Sequence, residues 1–204
     1  MRNVSKLSPE RCPQCRLIVQ DCICPENCSF RTEHKITLLT TRKEERIASN
    51  TGILLRLMLE NISLIYVGDR GWEREVLHEI SREEYTPVIL FPIHPFRDGK
   101  EIIQEKGKPL NIFVLDTNWK GARRWVHKPA FMPLQKIGLQ TVPPSAYYLR
   151  KQFRESNLCT FQAVTSLLLE LGTEGFDSVF SCMHETFTLW VKSLARERGM
   201  KLPQ

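Results

Sequence analysis

The sequence predicts an α/β fold, a mostly parallel sheet with helices on both faces. Three observations carry this reading. Strand-like runs alternate with helical stretches along most of the chain. The runs are close to continuously apolar, as strands covered on two faces must be. The connections are polar and short, which fits one main domain.

Residues 1–30 are rich in Cys, Pro and Arg and show little apolar periodicity. They read as a small unit that needs a metal or a staple to fold, with residues 31–204 as the main domain. Lys35–Thr40 is the first strand, rich in β-branched and apolar residues. Residues 42–46 read as a charged loop. Ser49-Asn50-Thr51-Gly52 has the chemistry of a helix start, and the helix runs over 53–59. A second strand covers 62–67 and a helix 72–81. The third strand, 86–92, is stopped by Pro92. Arg97-Asp98-Gly99-Lys100 is turn-prone. The fourth strand covers 111–115, and a helix opens near Trp119. Residues 138–142 form a short fifth strand, and helices over 160–172 and 174–198 close the chain.

At 204 residues the chain accommodates one α/β domain plus a small appendage. No apolar run approaches the roughly 18 residues of a membrane span. No apolar segment follows Met1 to Lys6 as a secretory signal requires, so a cytoplasmic location is expected. The net charge of +6 suits a polyanionic partner without specifying one.

The chain has seven cysteines, and those at 12, 15, 22, 24 and 28 crowd its start. Cys12 and Cys15 form a C-x-x-C pair, and Cys22 and Cys24 a C-x-C pair. Two close thiolate pairs can converge on a tetrahedral zinc, and a four-sulfur site is closed and therefore structural. Cys28 is a spare that can replace one ligand. The other reading is a set of reduced thiols in a loosely ordered arm. Cys182 and His184 fall in an amphipathic helix, where core packing accounts for them.

The fourth strand ends on Asp116, and Lys120, Arg123 and Arg124 follow on one face of the next helix. An acid at a strand's carboxyl end, opening into a basic helix, is where an α/β protein places reactive chemistry beside an anionic substrate. Arg150, Lys151 and Arg154 form a second basic cluster, and Arg42, Lys43 and Arg46 a third. These clusters are either solvated surface or a phosphate-binding rim. Trp119 is either a packed wall or a stacking platform. Ser49 to Gly52 either cap a helix or present donors to a ligand.

Six motifs then occur in order. They are Arg11-Cys12-Pro13-Gln14-Cys15 with Cys22-Ile23-Cys24; Ser49-Asn50-Thr51-Gly52; Leu90-Phe91-Pro92; Leu115-Asp116-Thr117-Asn118-Trp119; Pro143-Pro144-Ser145-Ala146-Tyr147-Tyr148-Leu149-Arg150; and Cys159-Thr160-Phe161-Gln162-Ala163. Together they resemble the DTW-domain proteins, which include the tRNA-uridine aminocarboxypropyltransferases. Asn118 stands where that family has Thr, and Cys159 and Gln162 where it has Ser and Glu.

The resemblance implies a fold related to the SPOUT methyltransferases, with a possible C-terminal knot. It implies S-adenosylmethionine as donor and transfer of its 3-amino-3-carboxypropyl group to N3 of a tRNA uridine. Asp116 is then the expected catalytic base. Thr51, Gly52, Leu90, Phe91, Pro92, Leu115, Thr117, Trp119 and Thr160 are the expected donor-binding residues. Lys120, Arg123, Arg124, Arg150 and Lys151 are expected to meet RNA, and Cys12, Cys15, Cys22 and Cys24 to hold structural zinc. An RNA methyltransferase, and an RNA-binding protein that has lost catalysis, are the alternatives.

Overall fold

A computed structural model describes residues 10–24, 28–92, 94–150 and 157–200. Five strands form one sheet in which every pair is parallel: β1 (Lys35–Thr40), β2 (Ile62–Tyr66), β3 (Thr86–Leu90), β4 (Leu110–Leu115) and β5 (Gln135–Ile137), in the order β2-β1-β4-β3-β5. The helices are α1 (Arg42–Glu45), α2 (Gly52–Met58), α3 (Trp72–Ile80), α4 (Gly99–Lys106), α5 (Trp119–Trp125), α6 (Thr160–Leu171) and α7 (Phe176–Glu197). The expected α/β class and parallel sheet are therefore present.

Strand alternation builds two cores. Ile36 and Leu38 of β1, Val88 and Leu90 of β3, and Ile112 and Val114 of β4 face one side, where α2, α4, α6 and α7 pack. Leu39, Ile89, Phe113 and Leu115 face the other, against α3 and α5. This double burial is why β1 and β4 are apolar almost throughout.

The chain leaves β1 toward α2 on the first face and leaves the adjacent β4 toward α5 on the second. Neighbouring parallel strands whose connections diverge open a crevice at their carboxyl ends, the usual place for a ligand.

Three expectations are corrected. The fifth strand is Gln135–Ile137, not 138–142. Ile137 is fully buried beside Leu90, after which the ring of Phe96 lies so close to Gly138 that a Cβ there would stand 2.8 Å from it. The backbone N–H groups of Gln140 and Thr141 then donate to the Glu170 carboxylate instead of a neighbouring strand. The turn-prone segment at 97–100 starts a helix: Asp98 caps α4 by accepting from the Lys100 N–H at 2.8 Å. The charged loop at 42–46 is mostly the short α1, capped by Thr41 Oγ1, which accepts from the Glu44 N–H at 3.1 Å.

The cysteines correct another expectation. Cys28 and Cys182 are joined as a disulfide, so Cys28 is engaged away from the N-terminal cluster and Cys182 is not a core residue. His184 does pack, half-buried among Phe161, Phe180 and Phe187, with a ring nitrogen 3.0 Å from Thr165 Oγ1. No helix among the described residues is long and apolar enough to cross a membrane.

Candidate active site and metal centre

Asp116 follows β4 directly. Its backbone N–H still donates to Leu39 O at 2.7 Å, so the residue is held in line with the sheet. Its carbonyl accepts from Thr40 Oγ1 at 3.0 Å. The residue is 4% exposed and both of its carboxylate oxygens are engaged. Oδ2 accepts from Asn50 Nδ2 at 2.7 Å, and Oδ1 from Thr160 Oγ1 at 2.8 Å. Burial raises the Asp116 pKa above the usual carboxylate value, while the bonds from Asn50 and Thr160 and the charge of Arg150 pull against that rise.

The surrounding segments are cut to fit this carboxylate. A Cβ on Gly52 would lie 2.5 Å from Asp116 Oδ2, so only glycine permits this approach of α2. Asn50 serves both sides: its Oδ1 accepts from the Gly52 N–H at 2.9 Å while its amide nitrogen holds Asp116. Thr51 Oγ1 accepts from the Phe161 N–H at 3.3 Å, in the first turn of α6. Asp116 does not cap α5. Asn118 does so, accepting from the Gly121 N–H at 2.9 Å. Asparagine and threonine both serve as caps, so Asn118 has a local structural reason for its place.

A cavity of about 420 Å³ opens at this point. Thr51, Leu90, Phe91, Pro92, Leu115, Asp116, Thr117, Trp119 and Thr160 all line it. Gly52 stands behind Asp116 rather than among the lining residues. Leu139 and Val142, from the segment expected as a strand, add apolar wall. Trp119 is half-buried and forms part of the wall. Cys159 also lines the cavity, but burial pushes its thiol up to about 11, which leaves it protonated and a poor nucleophile at neutral pH. Gln162 is 3% exposed and is not among the lining residues; its Oε1 accepts from Ser145 Oγ at 3.3 Å.

The expected basic residues divide. Lys120 is exposed and lines the cavity, whereas Arg123 and Arg124 are exposed farther along α5. Arg124 also borders a smaller hollow with Trp72 and Lys128, whose ammonium lies 5.3 Å from the Trp72 ring centre. Arg150 lines the cavity, beside Glu44 and Ser49. Lys151 lies outside the described residues. Glu44 is the cavity residue that the charged-loop reading overlooks. Its signal was legible as T-x-x-E, Thr41 to Glu44, which is a capping-box start.

The sulfurs of Cys12, Cys15, Cys22 and Cys24 lie within 4.8 Å of one another. Cys12 and Cys24 are 3.6 Å apart and Cys15 and Cys22 3.8 Å. Four Zn–S arms of about 2.3 Å in a tetrahedron put sulfurs at about 3.8 Å from one another, so the four thiols are placed to hold a metal such as zinc. Burial acts to raise the Cys12 thiol, but the backbone N–H groups of Cys15 and Gln14 and neighbouring thiols bring it down to about 6. Burial and the neighbouring thiols push Cys15 and Cys24 up, so of these three Cys12 alone is eased toward the thiolate, and metal binding would have to draw the protons off the other two.

A protein-family model described as DTW domain matches residues 9–195. No solved structure matches the chain.

Proposed function

The chain belongs to the DTW-domain family, and from that membership we propose that it transfers the 3-amino-3-carboxypropyl group of S-adenosylmethionine to N3 of a uridine in tRNA. The observation that carries this reading is a buried carboxylate, Asp116, in a cavity at the carboxyl ends of β1 and β4. S-adenosylmethionine, when bound, supplies an electrophilic carbon beside a sulfonium whose sulfur leaves as neutral methylthioadenosine, so departure needs no acid.

The protein's tasks are then to position the partners and to take one proton. Asp116 accepts the proton of uridine N3. Its raised pKa makes it a stronger base than an exposed carboxylate. Asn50 and Thr160 fix its orientation, and each carboxylate oxygen keeps a second lone pair for the incoming N–H. The cavity falls within the range of about 300–1,000 Å³ for small-molecule sites. Leu90, Phe91, Pro92, Leu115 and Trp119 offer an apolar surface for the adenosyl part. Lys120, Arg123 and Arg124, exposed on α5, suit the phosphates of the RNA. The four N-terminal thiols hold a structural zinc remote from the proton transfer. The parallel sheet with a site at its carboxyl edge supports the relation to SPOUT enzymes.

The test is to incubate the protein with S-adenosylmethionine and bulk tRNA. Methylthioadenosine release and an aminocarboxypropyl adduct on the RNA are expected. Asp116→Asn keeps the size and an oxygen to accept from Asn50 Nδ2, while its amide N–H donates to Thr160 Oγ1 where the carboxylate accepts, and it should lower the rate by about 10²–10⁴-fold with donor binding retained. A methyl adduct would overturn the reading in favour of methyl transfer. RNA binding without any release would favour a binding protein.

A further inference from the structure

One part of the cavity wall is not used by the proton transfer. Glu44, in α1, and Arg150, in the segment after β5, meet there. Arg150 Nε donates to Ser49 Oγ at 3.3 Å, and Nη1 lies 3.5 Å from Glu44 Oε2. Charge-assisted hydrogen bonds close to about 2.7–2.9 Å, so the two groups attract without closing on each other. Arg150 Nη2 and Glu44 Oε2 are both buried with no hydrogen-bond partner. Buried polar atoms are costly unless something meets them.

The signs of the two charges limit what that something is. A plain anion, including an RNA phosphate, would gain from Arg150 and be opposed by Glu44 beside it. A plain cation would meet the reverse. A ligand carrying both charges on one carbon satisfies both, and an α-amino acid does so. The other side of the cavity, at Leu90, Phe91 and Leu139, is apolar. The cavity is thus two-ended and calls for a zwitterionic head on a body with apolar surface.

Building on the transferase reading above, we infer that Glu44 and Arg150 form the subsite for the amino-acid end of the donor, Arg150 taking the α-carboxylate and Glu44 the α-ammonium. Neither takes part in the bond change. They select a donor with an intact amino-acid head and set the direction of the chain that is transferred.

The test is calorimetric titration of the full chain with three ligands: S-adenosylmethionine, its decarboxylated form and methylthioadenosine. Arg150→Gln should weaken S-adenosylmethionine by about tenfold or more and leave the other two within about twofold. Glu44→Gln should weaken S-adenosylmethionine and the decarboxylated form alike and spare methylthioadenosine. Arg150→Lys, which keeps the charge but not the planar fork, should fall between wild type and Arg150→Gln. Retained methylthioadenosine binding reports that each variant is folded. Equal losses for all three ligands in every variant, or no loss for any, would overturn this subsite while leaving the transferase reading in place. Wild-type protein that binds none of the three would overturn both.

Discussion

Asp116 is held on its backbone by β1 and on its carboxylate by two side chains distant in sequence. The buried charge has a consequence for stability. Burial raises the folded-state pKa above the ordinary 3.8, so the unfolded chain releases its proton first as pH rises. The folded state binds more protons over the window starting near 3.8, and stability from this group falls through that window. Below it both states are protonated and the penalty vanishes. Asp116→Asn cannot ionise. Its stability relative to wild type should therefore improve as pH rises from below 3.8 toward neutrality, as read from urea midpoints at several pH values. A difference that stays constant with pH would contradict this account. The position of Asp116 is legible because an apolar run stops on an acid. Its donor Asn50 lies 66 residues away, and no local pattern joins the two. The motif resemblance assigns Thr160 to donor binding, and its bond to Asp116 is visible only in the fold.

Helix α6 shows why element boundaries were easier to read than element partners. Its apolar face, with Phe161, Val164, Leu167, Leu168 and Leu171 buried, marks it plainly as a helix. Cys159 takes the extended N-cap conformation but makes no side-chain cap bond. The missing acceptor comes from Thr51, which receives the Phe161 N–H from the start of α2. Thr51→Val should then cost about 0.5–2 kcal/mol. Cys159→Ser should return part of that by supplying a local hydroxyl, and a double-mutant cycle of denaturant midpoints would measure the coupling. Strict additivity would show that the two caps are independent. Elements with less apolar weight were harder to read. In α4 only Gly99 and Ile102 are buried, so its periodicity hardly rises above that of a turn. The segment 138–142 has strand-like composition, but Leu139 and Val142 spend it on lining the cavity. Local composition reports that a residue is apolar and not which surface it covers.

Across the whole molecule, the N-terminal thiol cluster and the C-terminal helix stabilise each other. Cys15 and Leu17 are fully buried in the same core as Trp190 and Leu194 of α7. The Trp190 indole donates to Cys15 O at 2.7 Å. Glu197 accepts from the Ile18 N–H at 3.2 Å and pairs with Arg11 at 2.7 Å. Composition suggested a small unit apart from the rest, because the partners that bury it lie about 175 residues farther along the chain. Such packing would couple any metal held by these thiols to the whole fold. If Cys12, Cys15, Cys22 and Cys24 lose a bound zinc, the thiolates left behind repel one another or take up protons, and the turn that seats Leu17 against α7 loosens. Removing the metal with a chelator should therefore lower the melting temperature of the main transition. A loss of several kcal/mol, at about 2–4 °C per kcal/mol for a chain of this size, gives a shift on the order of 10 °C. Scanning calorimetry of metal-loaded and chelated protein measures it directly. A main transition that stays in place while a separate small one disappears would mean that the knuckle folds independently of α7, against the contacts at Trp190 and Glu197.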